Sequence, residues 1–204
     1  MTHTSHRRGS AESLSEDYIV LMNTAIGIND EDHVPKLQGF LRIALRHNPK
    51  NIGSVTMGSM DHHKPEEVMA NAHEIGHAVF DNEEAVTEVL KELKDADLGL
   101  SVVVSGIFEG VDECLEKAGL KHHTANFSLG IWGRTEKLPS DDTLEVTTMC
   151  GHALISANLV KAMVEEIKAG TKTPEEAART LAPNCACGVF NPARAAKLLA
   201  IMAK

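Results

Sequence analysis

The stretch IGHAVFDNEEAVTEVLKELKDADLGLSVVVSGIF, residues 75–108, decides the predicted fold. IGHAVF has the length and apolar content of a strand, and the residues after it repeat their apolar positions with the 3.6-residue period of a helix. LGLSVVVSGIF is a continuous run rich in β-branched residues, as in a strand that is buried on both faces. The order strand, helix, strand predicts a βαβ unit with a mainly parallel sheet.

The alternation continues on both sides of this stretch. EGVDECLEKAGL predicts a helix that stops at Gly119, and HTANFSLGIWG predicts another strand, so residues 77–133 are expected to run strand, helix, strand, helix, strand. Upstream, SLSEDYIVLMNTAIG predicts a helix that ends at Gly27, residues 35–47 predict a second helix, and IGSVTMGSM predicts a short strand. The predicted fold class is therefore α/β.

The composition changes after the loop KLPSDD. From Gly151 onward the chain predicts helices only: GHALISANLVKAMVEEIKAG, then TPEEAARTLA, then NPARAAKLLAIMAK. Proline follows Thr173 and Asn191, as is common at the first helical position. We expect a disordered tail at residues 1–13, an α/β layer at 14–140 and a helical C-terminal unit at 141–204.

Composition and charge narrow the function classes. Aromatic residues make up only 3% of the chain and the net charge is −9, which together argue against a nucleic-acid-binding protein. No apolar run reaches the roughly 18 residues of a membrane-spanning helix, and the start of the chain lacks the apolar core of a secretory signal. We expect a cytoplasmic protein with a small-molecule substrate and no membrane partner, and the Ala-rich last helix permits a homo-oligomer.

The four cysteines carry most of the chemical information. In a reducing compartment they are not expected to form a disulfide framework. Cys114 lies inside a predicted helix and is expected to be a buried bystander, whereas MCGHALIS and NCACGVF place Cys150, Cys185 and Cys187 just before predicted helices. A helix N-terminus favours a thiolate. The two helices between these sites predict a hairpin, which would bring all three thiols together.

Together with His152, these three cysteines form a donor set for a metal. Three thiolates and one imidazole make a complete tetrahedral set for zinc, and three thiolates alone can hold an iron–sulfur cluster with one open iron. MCGH also resembles the active-site string of proline-racemase-like enzymes, and CACG resembles their second cysteine segment. That resemblance implies metal-free acid/base or thiol chemistry at the same cysteines, so both alternatives stay open.

A second motif lies among the histidines. HEIGH, residues 73–77, resembles the HExxH zinc motif of the zincin metallopeptidases. That resemblance implies that His73 and His77 bind one zinc and that Glu74 acts on the zinc-bound water, provided that all three lie on one helix. The sequence predicts that the helix stops at Gly76, so an intermediate possibility is that His73 or His77 supplies a ligand or a proton shuttle to a site shared with the cysteines.

Arg134 and Arg194 are candidates for binding a substrate carboxylate. The glycine-rich strand ends SGIFEG and GIWGR, residues 105–110 and 130–134, are candidates for a pocket wall, since ligands bind beyond the carboxyl ends of parallel strands. The sequence thus favours a metal- or iron–sulfur-dependent enzyme acting on a small polar metabolite. The alternatives are an HExxH zinc metallopeptidase, a non-catalytic metal-binding or redox-sensing module, and a metal-free cysteine enzyme.

Overall fold

A five-stranded antiparallel sheet lies at the centre of the structure, a computed structural model that describes residues 2–204. The strands are Tyr18–Asn23 (β1), Asn51–Ser54 (β2), Gly58–Ser59 (β3), Ile75–Phe80 (β4) and Ser101–Ser105 (β5). Their order across the sheet is β3-β2-β4-β1-β5. The helices are Ala11–Leu14 (α1), His33–Arg46 (α2), Pro65–Ala70 (α3), Glu83–Ala96 (α4), Phe108–Lys117 (α5), Asp141–Thr147 (α6), Ala157–Lys168 (α7), Pro174–Leu181 (α8) and Pro192–Met202 (α9).

The prediction of a mainly parallel sheet is wrong. Every strand pair in the sheet is antiparallel. The βαβ unit that the sequence predicted does exist, since β4, α4 and β5 follow one another as expected. However, β4 and β5 both pair with β1, which is inserted between them and runs in the opposite direction to each. One strand from earlier in the chain thus turns a parallel unit into an antiparallel sheet.

That inserted strand is where the sequence prediction failed. Residues 18–23, YIVLMN, were predicted to lie within a helix, but they form β1, the strand next to the edge strand β5. All but Asn23 are buried, because helices cover both faces of the sheet here. A short apolar run that is buried on both sides shows no period of two, so it cannot be distinguished from a buried helix by its pattern.

The predicted strand HTANFSLGIWG is also wrong. Residues 123–133 form no strand in the structure, and their side chains are exposed. β5, expected to be buried on both faces, is an edge strand with exposed or half-buried residues along its whole length. The last strand that the sequence predicted is therefore not part of the sheet.

Two cores pack against the two faces of the sheet. Helices α2–α5 cover one face, where Phe40 and Leu90 pack with Val20 and Phe80 from the strands. Helices α6–α9 cover the opposite face, where Phe190 and Leu199 pack with Ile19 and Val79. Alternate residues of β1 and β4 therefore serve different cores. The C-terminal helices α7, α8 and α9 were predicted, although α7 begins at Ala157 rather than at Gly151.

The N-terminal residues, predicted to be a disordered tail, lie against the edge of the sheet and the C-terminal helices. The Nε of Arg7 donates to Asp17 Oδ2 at 2.7 Å, and Nη2 of Arg194 donates to the carbonyl of Arg8 at 2.7 Å. The hydroxyls of Thr4 and Ser105 are 2.7 Å apart. These contacts place residues 3–8 between the sheet edge and the C-terminal helices. The division into α/β and helical units stays a prediction.

Candidate functional site

The three cysteines of the predicted cluster meet on the face of the sheet covered by α6–α9. Cys150 lies in the turn after α6, and Cys185 and Cys187 lie in the loop between α8 and α9. The Sγ atoms of Cys185 and Cys187 are 4.0 Å apart, and Cys187 Sγ is 3.7 Å from Nδ1 of His152. Cys150 is hydrogen-bonded to Cys185, and all three thiols are buried. Cys114, predicted to be a bystander, is buried in the other core.

The prediction that these cysteines lie at helix N-termini was wrong. Neither cysteine segment lies at a helix N-terminus: α7 begins seven positions after Cys150, and α9 begins five positions after Cys187. The N-cap of α7 is Ser156 and that of α9 is Asn191, and their side chains satisfy the first N–H groups of the two helices. The helix dipoles therefore do not act directly on the sulfurs, because the effect falls off within the first turn.

A close backbone contact fixes the loop that carries Cys187. A Cβ on Gly53 of β2 would lie 2.2 Å from the carbonyl oxygen of Cys187, and a Cβ on Gly188 would lie 2.8 Å from Gly53 Cα. Gly188 also has φ +75°, which favours glycine. The loop therefore rests directly on the strand, and both glycines are needed for that approach.

Three histidines line the same region. His77 points from β4 toward the C-terminal helices and is fully buried. Its Nε2 lies 3.3 Å from Nε2 of His3, and the ring of His3 stacks on that of His152 with centroids 4.7 Å apart. His152 is exposed and carries the contact to Cys187. The imidazoles thus form a continuous row from the buried strand to the surface beside the thiols.

Sequence reasoning missed His3, which was assigned to a disordered tail. Its backbone sits directly on Gly151, where a Cβ would lie 1.7 Å from the His3 carbonyl oxygen. Nothing in the N-terminal sequence marks this residue, since its partner His77 is 74 positions away. Gly151 alone permits this approach, because any side chain there would overlap the His3 backbone.

Hydrogen bonding makes the three thiols unequal. The hydrogen bond to Cys185, together with burial, raises the pKa of Cys150 well above its usual range. The hydrogen bond from Cys150 lowers the pKa of Cys185. The hydrogen bond to Cys187 and burial outweigh that effect, so the pKa of Cys185 is raised to about 11. Cys187 receives the hydrogen bond from Cys185, which lowers its pKa. Cys187 is therefore the first of the three to become a thiolate.

The two inner histidines are held neutral. Burial, followed by repulsion from His3, lowers the pKa of His77 to about 3. Burial, followed by repulsion from His152, lowers the pKa of His3 to about 4. At neutral pH each ring has one nitrogen that can accept a proton or a hydrogen bond.

The HEIGH residues do not form a zincin site in the structure. His73 follows the end of α3, Glu74 has the left-handed φ of 63°, and His77 lies on a strand. His73 instead pairs with His33 on the surface, with their Nε2 atoms 3.2 Å apart. Of the three predicted catalytic residues, His73, Glu74 and His77, only His77 is connected to the cysteine cluster, through His3 and His152.

The two predicted substrate-binding arginines lie elsewhere. Arg134 is exposed in the segment after α5. Arg194 is 2% exposed, and its guanidinium donates to Asp17 at 2.9 Å and to Ser13 Oγ at 3.0 Å. These bonds tie α9 to the N-terminal segment, so the role that the structure gives Arg194 is structural.

A large cleft of about 790 Å³ runs along the outer edge of β5. Ser105 and Gly106 line it, as predicted for SGIFEG, but Gly130 and Arg134 of the second predicted wall do not. Thr4, Ser5 and Arg7 form part of its wall. The N-terminal segment therefore separates this cleft from the cysteine cluster.

Within residues 2–204, no three His, Cys, Asp or Glu side chains are already arranged around a point that could hold a metal ion. In the same part of the chain, no helix has the length and apolar character needed to cross a membrane. Comparison with family models, with curated proteins and with solved structures finds no match for this chain.

Proposed function

We propose that the protein is a metal-dependent enzyme that acts on a small polar metabolite, with its metal held by Cys150, Cys185 and Cys187 beside His152. The observation that carries this proposal is the convergence of these four side chains from two segments more than 30 positions apart. Buried cysteines are common by themselves. Three of them in one hydrogen-bonded set with an imidazole form the donor set of a soft metal ion.

The donor spacing supports zinc. With Zn–S near 2.3 Å and Zn–N near 2.1 Å, a tetrahedron places two sulfurs about 3.8 Å apart and a sulfur and a nitrogen about 3.6 Å apart. The corresponding distances here are 4.0 Å for Cys185–Cys187 and 3.7 Å for Cys187–His152. An iron–sulfur cluster binds each thiolate through a different iron, which requires sulfurs that are farther apart.

Charge supports the same conclusion. The hydrogen bond from Cys185 lowers the pKa of Cys187, whereas hydrogen bonding, burial and repulsion between neighbouring sulfurs raise the pKa values of Cys150 and Cys185. A divalent cation among the sulfurs would remove that repulsion and ionise all three. The raised pKa values of Cys150 and Cys185 therefore indicate that a bound metal ion would stabilise the thiolate forms of these two side chains.

The arrangement leaves one side open for chemistry. The three thiols are buried, whereas His152 is exposed and is held in place by stacking on His3. Because it is exposed, His152 is the one donor of the four that a substrate oxygen could displace, which would leave the fourth position that catalytic zinc sites require. A metal bound there would act as a Lewis acid. A neutral His3 ring lies beside that position, stacked on His152.

The test is metal analysis of protein purified without oxygen, for zinc, iron and sulfide, with a visible absorption spectrum. We expect one zinc per chain in the wild type. Cys187→Ser should lose the metal, whereas the matched control Cys114→Ser, which changes a buried cysteine in the other core, should keep it. A Cys187→Ser variant with wild-type metal content would contradict the ligand assignment.

A thiol redox function is the second candidate, favoured by the lowered pKa of Cys187 beside the Cys185 sulfur. Hydrogen peroxide would oxidise the Cys187 thiolate to a sulfenic acid, and Cys185 would then form a disulfide with release of water. Metal-free wild-type protein that loses two thiols to one equivalent of peroxide would favour this function over the metal enzyme.

A further inference from the structure

Two histidines outside the cysteine site face each other at the surface. His33 is the first residue of α2, and His73 lies between the end of α3 and the start of β4. Their Nε2 atoms are 3.2 Å apart, and the two ring planes are at 90° to each other. His33 is half-buried and His73 is exposed, so the pair is accessible from solvent.

A backbone carbonyl fixes the proton of the His33 ring. Its Nδ1 lies 2.6 Å from the carbonyl oxygen of Asp30. A carbonyl oxygen only accepts hydrogen bonds, so Nδ1 carries the proton of the neutral ring. The Nε2 of His33 therefore presents a lone pair to His73.

A carboxylate acts in the same sense on the His73 ring. Oε1 of Glu74 lies 4.0 Å from Nδ1 of His73. That separation is too long for a direct hydrogen bond, but a negative charge at this distance favours a proton on the nearer nitrogen. The Nε2 of His73 is then also unprotonated, and two facing lone pairs at 3.2 Å repel each other unless a cation lies between them.

We propose that His33 and His73 bind a divalent transition-metal ion, with zinc as the ion tested below, through their two Nε2 atoms. With metal–nitrogen bonds of about 2.1 Å, two imidazoles on a tetrahedral ion have nitrogens about 3.4 Å apart, close to the separation of 3.2 Å found here. A carbonyl and a carboxylate beside the opposite ring nitrogens are the outer partners that metal-binding histidines use. The site takes the first histidine of HEIGH but not the second, so it differs from the zincin site that the motif implied.

The backbone holds His73 in position for this role. Its N–H donates to Oγ of Ser54 at 3.3 Å, and its carbonyl accepts from the N–H of Ile75 at 2.8 Å. The His33 ring is held by its bond to the Asp30 carbonyl. Both ligands are therefore oriented before an ion arrives, which reduces the entropy lost on binding.

The charges around the pair favour a cation. Asp30, Glu31 and Asp32 directly precede His33, and Glu74 directly follows His73. Lys36, one turn into α2, donates to the carbonyl of Glu31 at 3.1 Å. Four carboxylates near two imidazoles make the local field negative, which raises the local concentration of cations.

The number of ligands sets how the site should behave. With two protein ligands and an open side, a bound ion should exchange with the solution, so we expect it to be lost on purification and to return when zinc is added. A bound ion would join the start of α2 to the segment before β4. Because it would bind the folded chain and not the unfolded one, it would raise the thermal midpoint.

Equilibrium dialysis of chelator-treated protein against zinc tests the site. We expect the wild type to bind one more zinc per chain than His33→Gln or His73→Gln, and zinc to raise its thermal midpoint more than that of either variant. Both substitutions change rings at the surface, so equal midpoints in chelator will show that the variants fold. His123→Gln, which changes an exposed histidine whose ring contacts Thr124, is the matched control and should bind as much zinc as the wild type.

This comparison does not depend on the cysteines. Cys187→Ser and its derivative that also carries His73→Gln should differ by one zinc per chain, whether or not the cysteine site holds a metal. Ring-nitrogen NMR of the zinc-loaded wild type should show the ion on Nε2 of both histidines and the proton on Nδ1. Variants that bind as much zinc as the wild type would overturn the proposal. So would zinc on Nδ1 of either ring, or an equal loss of zinc in His123→Gln.

Discussion

Gly53→Ala offers the sharpest test of how the fold positions the site. The new methyl group would lie 2.2 Å from the carbonyl oxygen of Cys187, 2.7 Å from its carbonyl carbon and 2.9 Å from the Cα of Gly188. All three are backbone atoms, so no side-chain rotation can relieve the overlap. The loop that carries Cys187 must instead move away from β2 by about an ångström to reach ordinary contact distance.

We expect this displacement to reduce stability and metal binding together. Overpacking of this kind costs about 1–3 kcal/mol. For a chain of this length that corresponds to a fall of roughly 2–12 °C in the thermal midpoint. Because the sulfur of Cys187 moves with its backbone, the distances to Cys185 and His152 change, and the zinc content should fall well below one per chain.

Gly76→Ala is the matched control. Gly76 lies on the adjacent strand β4, but a Cβ there would meet only side-chain carbons, at 3.2 Å and 3.3 Å from the ring of Phe40. We expect it to cost less than about 1 kcal/mol and to retain metal, because the ring can move by a few tenths of an ångström. Calorimetry and metal analysis of both variants decide the matter. If Gly53→Ala matches Gly76→Ala in midpoint and metal content, the close backbone contact does not position the cysteine loop.

Two further predictions concern buried charge. Asp17→Asn should lower the free energy of unfolding by about 3–5 kcal/mol in urea titrations, because Arg7 and Arg194 lose their buried carboxylate partner. Glu16→Gln, which affects only an exposed pair, should change it by less than about 1 kcal/mol, and equal effects would contradict the argument. The pKa of His77 is lowered from 6.5 to about 3, so as the pH falls below about 6.5 the unfolded chain takes up a proton that the folded chain does not. In chelator-treated protein, the free energy of unfolding should therefore fall as the pH falls, and it should fall more steeply in the wild type than in His77→Gln, by about 1.4 kcal/mol per pH unit. Urea titrations of both proteins between pH 6 and pH 4 measure this difference, and parallel curves would refute the argument.

The sequence predicted the long amphipathic helices well. α4, α5, α8 and α9 each have a regular apolar stripe, and α8 and α9 also have a capping residue followed by proline. Such features are local, so a single segment contains all the information needed. The strand β4 was also recognised, because turn residues bound its short apolar run.

The sheet topology could not be predicted in the same way. Whether β4 and β5 are neighbours depends on β1, more than 50 positions before β4, and nothing in IGHAVF or SVVVS indicates that a third strand lies between them. The segment 124–132 shows the converse error. Its alternation is that of a strand, but a strand also needs a partner, which the pattern alone does not supply.

For the site, the cysteines were predicted and their surroundings were not. The hairpin of α7 and α8 brings Cys150 near the other two, and the lengths of the predicted helices imply this. The prediction of lowered pKa values at helix N-termini was wrong for Cys150 and Cys185, because that argument ignored the thiols' effects on one another. His3 could not be found, since only the folded chain brings it to His77.

The contacts of the N-terminal segment have a consequence for the timing of synthesis. Arg7 bonds to Asp17 and to the carbonyl of Val189, and the chain between Arg7 and Val189 is 182 positions long. At about 5–20 residues per second, a ribosome needs roughly 10–40 s to add those positions. During that time the sheet can already form, whereas Cys187 has not yet been added to the chain. The site is therefore completed only after Cys187 has been synthesised, and until then His3 and His77 are present without the cysteine loop.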